Sequence, residues 1–119
     1  MTQILLIDDD EAVLNVTAKM LEAINCQAYL AHSGQEALDF CKNSKIEIDL
    51  VILDETMRGL SGGETFDLLR KINPELKVIL ASGYGLDEKI QATLSRGCNG
   101  FLHKPFQLKD LEEKIKEVL

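Results

Sequence analysis

Short apolar runs alternate along the chain with longer stretches in which apolar residues recur every three or four positions. The short runs are rich in Ile, Leu and Val and are bounded by Asp, Ser or Gly, a pattern typical of buried strands. They predict five strands, at residues 3–7, 26–31, 49–53, 77–81 and 99–102. The stretch after each strand has the periodicity of an amphipathic helix.

The five predicted helices have local start and stop signals. Asp10 is expected to cap the first helix, because a short acidic side chain can accept from free amides of the first turn. Asn73 ends the third helix because the residue before Pro74 avoids the α region, and Gly97 closes the fourth. The apolar positions that define the helices are Val13, Val16, Met20, Leu21 and Ile24, then Ala37, Leu38 and Cys41, then Phe66, Leu69 and Ile72, then Leu86, Ile90 and Leu94, and finally Leu108, Leu111, Ile115 and Val118.

Strict alternation of strand and helix predicts an α/β fold, a doubly wound parallel sheet with helices on both faces. Both the flavodoxin-like strand order 2-1-3-4-5 and a Rossmann order fit the pattern. Five strands in 119 residues favour the flavodoxin-like (βα)5 arrangement. Without a linker, a repeat or a low-complexity segment, we expect one domain over residues 1–119.

Composition narrows the possible functions. The net charge of −7 argues against direct nucleic-acid binding, which needs clustered Lys and Arg. No apolar run approaches the roughly 18 residues needed for membrane insertion, and the early strand leaves no signal peptide, so we expect a cytoplasmic protein. Cys26, Cys41 and Cys98 are expected to be small buried apolar residues in a reducing compartment.

Polar residues follow four of the predicted strands. Asp8 and Asp9 come after the first strand, Asp54 after the third, Ser82 after the fourth and Lys104 after the fifth. In a parallel sheet these ends lie along one edge. Three crowded carboxylates repel one another unless a cation offsets their charge. Mg²⁺ suits the set, since it binds one or two carboxylates, retains waters and leaves room for phosphate oxygens.

The same residues suit phosphoryl transfer. The Lys104 ammonium can lie beside a phosphoryl oxygen as a positive charge, and the Ser82 hydroxyl can donate a hydrogen bond to another phosphoryl oxygen. Metal and cation together offset the charge on the transferring group. Asp54, expected between them, is the predicted nucleophile.

Five motifs at these strand ends resemble a known family over essentially the whole chain. They are Ile-Asp-Asp-Asp at 7–10, Val-Ile-Leu-Asp-Glu-Thr-Met at 51–57, Leu-Ser-Gly at 60–62, Ala-Ser-Gly-Tyr-Gly at 81–85 and Gly-Phe-Leu-His-Lys-Pro-Phe at 100–106. In this order they resemble the receiver domain of bacterial response regulators in two-component signalling. The last two motifs are similar to receivers attached to hybrid sensor histidine kinases.

The resemblance implies a role for each matched residue. Asp54 would be the phosphoacceptor, and Mg²⁺, or Mn²⁺ as a substitute, would be held by Asp8, Asp9, Asp54 and the backbone carbonyl of Thr56. Lys104 would be the lysine that the family has at this site, and the peptide bond between Lys104 and Pro105 would be cis.

Further roles follow from the same resemblance. Ser82 and Phe101 would be the switch residues, acting through the face of the fourth helix, fifth strand and fifth helix. Tyr84 and Thr56 stand at positions that tune dephosphorylation by controlling water access. Arg58 stands where the family usually has proline, which would fix φ. Arg58 leaves the loop freer and makes its geometry beside the metal an open question.

The function implied is a signalling switch that acquires a phosphoryl group from a histidine kinase or a histidine phosphotransfer domain. It would catalyse its own phosphorylation and dephosphorylation without being a stand-alone turnover enzyme. The downstream target is unknown from the sequence.

Other interpretations stay open at this point. A haloacid-dehalogenase-type phosphatase also uses an Asp-x-Asp, formally Asp8 to Asp10, but needs a further acidic motif after the lysine. A flavodoxin-like cofactor binder would need a phosphate-binding loop where three aspartates would repel phosphate. A receiver-like module could serve protein interaction alone. More simply, the aspartates could be helix caps, Ser82 a turn residue and Phe101 a core aromatic. His32 and His103 are expected in solvent-facing loops.

Overall fold

The computed structural model describes residues 1–119 and contains five strands and five helices in alternation. Their bounds are β1 Thr2–Ile7, α1 Glu11–Ala23, β2 Cys26–Ala31, α2 Gly34–Asn43, β3 Leu50–Asp54, α3 Gly62–Ile72, β4 Lys77–Ser82, α4 Glu88–Ser95, β5 Gly100–His103 and α5 Leu108–Val118. The strands form one parallel sheet in the order β2-β1-β3-β4-β5. This confirms the flavodoxin-like order and excludes the Rossmann order.

The register of the central strands brings their carboxyl ends level. Ile7 lies beside Leu53, and Asp54 lies beside Ala81. The residues that follow these strands therefore emerge side by side. β3 is buried along its whole length, because it lies at the centre of the sheet with helices on both faces.

Alternation of side chains along the strands divides the core into two layers. One layer packs strand residues beneath α2, α3 and α4, and its members include Leu5, Ile7, Val51, Leu53, Phe66, Leu69, Val78, Leu80 and Ile90. The other packs them beneath α1 and α5, and its members include Ile4, Leu6, Leu14, Leu21, Leu50, Ile52, Ile79, Leu111 and Ile115.

Asp10 and Gly97 act at helix ends as predicted, and α3 has a capping box that was not predicted. The Asp10 carboxylate accepts from the amides of Ala12 and Val13 and caps α1. Ser61 and Glu64 form a reciprocal capping box at the start of α3. Gly97 takes a positive φ of 104° just after α4, as a C-terminal glycine does.

Several predicted core positions lie outside the core. The buried face of α1 is formed by Leu14, Thr17 and Leu21, whereas Val16 is 54% exposed. Two apolar stripes run side by side on this helix, and periodicity alone does not show which faces the sheet. Leu86 precedes α4 and is also exposed, because Asp87 takes the capping position.

The cysteines and the helix lengths bear on the expectations drawn from composition. Cys26 and Cys98 are buried, Cys41 is half-buried, and all three are free thiols. No helix combines the length and the apolar character required to cross a bilayer.

Candidate functional site

Three carboxylates meet at the carboxyl edge of the sheet. Asp8, Asp9 and Asp54 each place an oxygen within 4.8 Å of the other two. β1 and β3 are hydrogen-bonded neighbours with level ends, so the residues that terminate them are adjacent in space. Asp8 and Asp54 are buried and Asp9 is half-buried. The cluster therefore opens to solvent on the side of Asp9.

Lys104 joins two of the three acids. Its Nζ donates to Asp8 Oδ2 at 2.5 Å and to Asp54 Oδ1 at 2.9 Å. Its backbone amide donates to the Ser82 carbonyl at 2.8 Å, which fixes the loop after β5 against the end of β4. The peptide from Lys104 to Pro105 is cis, as predicted. One ammonium thus serves two carboxylates, and the group of four side chains retains negative charge.

Burial and charge act together on these groups. Burial raises the pKa of Asp54, and the charges of Asp8 and Asp9 act in the same direction, while Lys104 opposes them. For Lys104, burial lowers the pKa, but the hydrogen bonds and charges of Asp8 and Asp54 outweigh it and raise the pKa overall. The lysine is therefore charged at neutral pH, and a further cation would relieve the remaining repulsion among the acids.

The donor set fits Mg²⁺. Carboxylate oxygens are its preferred protein ligands, and the solvent-facing side of Asp9 leaves room for the waters that this ion retains. Asp8, Asp9 and Asp54 are the side chains that would hold it. Thr56 follows Asp54 by two residues in the exposed part of the same loop.

The loop between β3 and α3 is held at its middle and at its end. The Arg58 amide donates to Asp9 Oδ2 at 3.1 Å, and the Arg58 Nε lies 3.7 Å from the same oxygen. At the end of the loop, the amide of Gly62 donates to the Glu55 carbonyl at 2.9 Å. The Gly63 amide donates to the Glu55 carboxylate at 3.2 Å. The loop is therefore hydrogen-bonded to the acid cluster through Arg58, although it lacks the proline.

The burial of Glu55 was not predicted from the sequence. An acid beside the predicted nucleophile and before a loop suggests an exposed residue, yet Glu55 is only 8% exposed. Burial raises its pKa, and the hydrogen bond from Gly63 opposes this. The available signal was the glycine pair at the start of α3, whose free amides can bind an acid.

Ser82 and Phe101 differ in how deeply they are buried. Ser82 is 1% exposed, and its Oγ accepts from the Tyr84 amide at 3.0 Å, so it does form a Ser-Gly turn. Its hydroxyl proton can still be donated elsewhere. Tyr84 is 68% exposed. Phe101 is half-buried against the core layer beneath α2, α3 and α4, and its ring meets the edge of His103 at 6.5 Å between centroids.

His32 has partners that sequence spacing did not reveal. Its Nε2 lies 3.0 Å from Glu11 at the start of α1, and its Nδ1 lies 3.1 Å from Glu36 in α2. The hydrogen bond with Glu36 raises the pKa of His32, burial opposes this slightly, and the charges of both glutamates add to the rise. The imidazole thus links the first turns of two helices beside β2.

The comparisons with known proteins agree with the fold. Residues 4–116 match the family described as response regulator receiver domain. The chain is 34% identical over 116 residues to the sensor kinase CckA of Brucella abortus, covering 98% of this chain and 12% of that protein. It spans about half the length of the curated response regulators that it matches.

Solved structures of similar proteins have the same architecture. A response regulator receiver domain protein from Clostridium thermocellum superposes with a TM-score of 0.91 at 31% identity, over 99% of this chain and 94% of that one. The response regulator TrrA of Thermotoga maritima, solved in complex with Mg²⁺-BeF, superposes with a TM-score of 0.87 at 30% identity over 100% of both chains. In this chain Asp10, the second acid of the phosphatase-like pattern, serves as a helix cap. The chain belongs to the response regulator receiver domain family.

Proposed function

We propose that Asp54 accepts a phosphoryl group from a phosphohistidine on a histidine kinase or a histidine phosphotransfer domain. The observation that carries this proposal is the bridging of Asp8 and Asp54 by Lys104 beside the third acid. Lys104 holds Asp54 Oδ1, and Oδ2 makes no hydrogen bond within the protein. That oxygen is the one available for attack.

The transfer follows from this arrangement. Asp54 Oδ2 attacks phosphorus in line with the phosphorus–nitrogen bond, that bond breaks, and its electron pair leaves with the imidazole of the donor. The product is an acyl phosphate on Asp54. Lys104 is placed to donate to a phosphoryl oxygen, since its ammonium carries three hydrogens and bonds two carboxylates. Mg²⁺, when bound by Asp8, Asp9, Asp54 and the Thr56 carbonyl, offsets negative charge on the phosphoryl oxygens.

The phosphoacceptor is tested with a small donor, which removes any effect of docking. Acetyl phosphate with Mg²⁺ should add one phosphoryl group to the wild type by intact mass and none to Asp54→Asn. Asp39→Asn, a change of the same kind at an exposed helical position, should be labelled like the wild type. Labelling of Asp54→Asn that depends on Mg²⁺ would refute the assignment.

Metal binding is tested through stability, without any turnover. A ligand that binds only the folded state at ten times its Kd raises the free energy of unfolding by about 1.4 kcal/mol. We expect Mg²⁺ to raise the free energy of unfolding of the wild type and to leave that of Asp9→Asn unchanged. The complex of TrrA with Mg²⁺-BeF supports the same pairing for this chain. Failure to bind Mg²⁺ and beryllofluoride together would favour a module that serves protein interaction alone.

The output is proposed to act through Ser82 and Phe101. Ser82 lies one residue beyond Ala81, which pairs with Asp54, so a new acceptor on Asp54 would be near the Ser82 hydroxyl. Phe101 is half-buried on β5 between the core and the surface, where it can change its packing. The face of α4, β5 and α5 would then differ between the two states.

Amide NMR shifts can test this switch. Beryllofluoride should shift amides of α4, β5 and α5 in the wild type. Phe101→Ala should bind the mimic and show smaller shifts on that face. An unchanged pattern of shifts would remove Phe101 from the switch. Tyr84 and Thr56 are proposed to tune dephosphorylation, which the lifetime of the acyl phosphate in their alanine variants measures.

An exposed apolar groove beside the site suits the approach of the donor. It has a volume of about 490 Å³ and is lined by Val13, Val16 and Met20 of α1 together with Lys104, Pro105 and others. Lys104 lines the groove and also bonds Asp54, so a protein docked on the groove would lie beside the acid cluster. We propose that the phosphohistidine domain contacts this groove.

A matched pair of variants distinguishes an effect on docking of the donor from an effect on phosphoryl transfer itself. Val16→Glu should slow transfer from a phosphorylated histidine phosphotransfer domain and leave labelling by acetyl phosphate unchanged. Ile46→Glu places the same charge at an exposed apolar residue away from the groove and should change neither. Equal transfer rates for the two variants would exclude the groove.

A further inference from the structure

One hydrogen bond crosses the mouth of the acid cluster. The amide of Arg58 donates to Asp9 Oδ2 at 3.1 Å, and the two residues are 49 positions apart in the chain. The bond links the loop that follows β1 to the loop that follows β3. It joins a proposed metal ligand to the same loop that carries the Thr56 carbonyl.

The three acids differ in what orients them. Asp8 accepts from the Asp10 amide at 2.9 Å and from Lys104, and Asp54 accepts from Lys104. Asp9 accepts one hydrogen bond in the protein, from Arg58. Its side chain is 27% exposed, so it has more space to rotate than the other two. The orientation of Asp9 therefore depends on residue 58.

Arg58 contributes two effects of opposite sign to a cation at this site. Its amide donates to Oδ2 and leaves Oδ1 without a hydrogen bond in the protein, and this fixed orientation reduces the ordering that binding must bring about. Its guanidinium, with Nε 3.7 Å from Asp9 Oδ2, repels a second cation. The guanidinium is 94% exposed, so water and salt screen this repulsion.

We propose that Arg58 is a positioning residue for Asp9. The backbone N–H preorients the carboxylate for Mg²⁺, and the side chain lowers the affinity modestly. This inference rests on the proposed function, in which Asp8, Asp9 and Asp54 hold the metal. It predicts that the two parts of one residue can be separated by two substitutions.

Mg²⁺ affinity in two variants isolates the amide. Arg58→Ala removes the guanidinium and keeps the N–H, whereas Arg58→Pro removes both. By calorimetric titration with MgCl₂, Arg58→Ala should bind about twofold more tightly than the wild type at low salt, since an exposed charge interaction is weak. Arg58→Pro should bind about fivefold more weakly than Arg58→Ala, because Asp9 then lacks the donor that orients it and has to be ordered when the ion binds.

The metal site and the role of Arg58 can be refuted separately. Absence of Mg²⁺ binding by the wild type would overturn the metal assignment and this inference with it. Normal binding by the wild type with equal affinities for Arg58→Ala and Arg58→Pro would overturn this inference alone. Affinities in the expected order support it.

A measurement without metal covers the case in which proline disturbs the loop. In metal-free Arg58→Ala, the amide proton of residue 58 should resonate downfield, as expected of a donor to a carboxylate. Adding Asp9→Ala should move that resonance upfield, because the charged acceptor is removed. An unchanged resonance would overturn the proposed bond whatever the behaviour of the proline variant.

Discussion

The first residue of α3 has no room for a side chain, which allows a sharp test of how closely this helix packs against the end of β3. A Cβ at Gly62 would lie 2.6 Å from the Glu55 Cα and 2.7 Å from the Asp54 carbonyl oxygen. Both atoms belong to backbone. Gly62→Ala therefore forces α3 and the end of β3 apart, since neither contact can be relieved by a side-chain rotation.

The size of the effect follows from two opposing terms. Non-bonded carbons normally approach to about 3.5–4.0 Å, so the backbones must separate by roughly 1 Å. Overpacking of this kind costs about 1–3 kcal/mol. Replacing glycine with alanine returns about 0.4–1 kcal/mol through the unfolded state. We expect a net loss in the free energy of unfolding of about 1 kcal/mol, within a range of about 0–2.6 kcal/mol.

The adjacent glycine provides a matched control. A Cβ at Gly63 would meet Thr93 Oγ1 at 2.9 Å and Arg96 Nη2 at 3.4 Å, so relief there requires movement of side chains and not of a backbone segment. The gain through the unfolded state is the same at both positions. Urea unfolding of the two variants should place Gly62→Ala below Gly63→Ala by about 1 kcal/mol or more at equal m-values.

The same substitution should also affect the proposed metal site. Displacing the Asp54 carbonyl and Glu55 moves the loop that carries Thr56, so Gly62→Ala should bind Mg²⁺ more weakly than Gly63→Ala. Equal stability of the two variants, or a more stable Gly62→Ala, would refute the close backbone approach and the reasoning built on it.

Two further predictions concern ties away from the site. His32→Gln should make unfolding less dependent on pH. The raised pKa of His32 means that its contribution is present below the unfolded value of about 6.5 and is lost as pH rises through the folded value. For this exposed group the difference should be about 0.5 kcal/mol near pH 6 and should vanish by about pH 9, whereas a constant difference would contradict it. Arg70→Met should lower the free energy of unfolding by about 2 kcal/mol, because the guanidinium donates to two carbonyls and one amide oxygen and lies 4.8 Å from the centre of the Phe66 ring. Lys71→Met, at the exposed next position, should have little effect on urea unfolding, and equal losses would rule out this role for Arg70.

The sequence alone determined the local elements and which residues end each strand. Short apolar runs, a capping acid at Asp10 and a glycine at Gly97 are local signals, and they carry the same meaning whatever surrounds them. Because parallel strands end at one edge, the placement of Asp8, Asp54 and Lys104 together followed from strand direction without knowledge of the strand order. This is why the acid cluster could be predicted before its geometry was known.

The tertiary structure decided what depends on contacts between distant segments. Strand order depends on which face of the sheet each helix covers, and the periodicity of a helix does not contain that information. The same limit applies to α1, where two apolar stripes compete and Thr17 rather than Val16 is buried. His32 found its partners only when α1 and α2 were brought side by side.

The loop after Asp54 shows the distinction most clearly. From the sequence, Arg58 meant the absence of the stiffness that proline supplies. In the folded chain its amide donates to Asp9, and Glu55 holds the start of α3. A backbone donor has no signature in the sequence, because every residue except proline carries one. Only the tertiary structure shows which acceptor it meets.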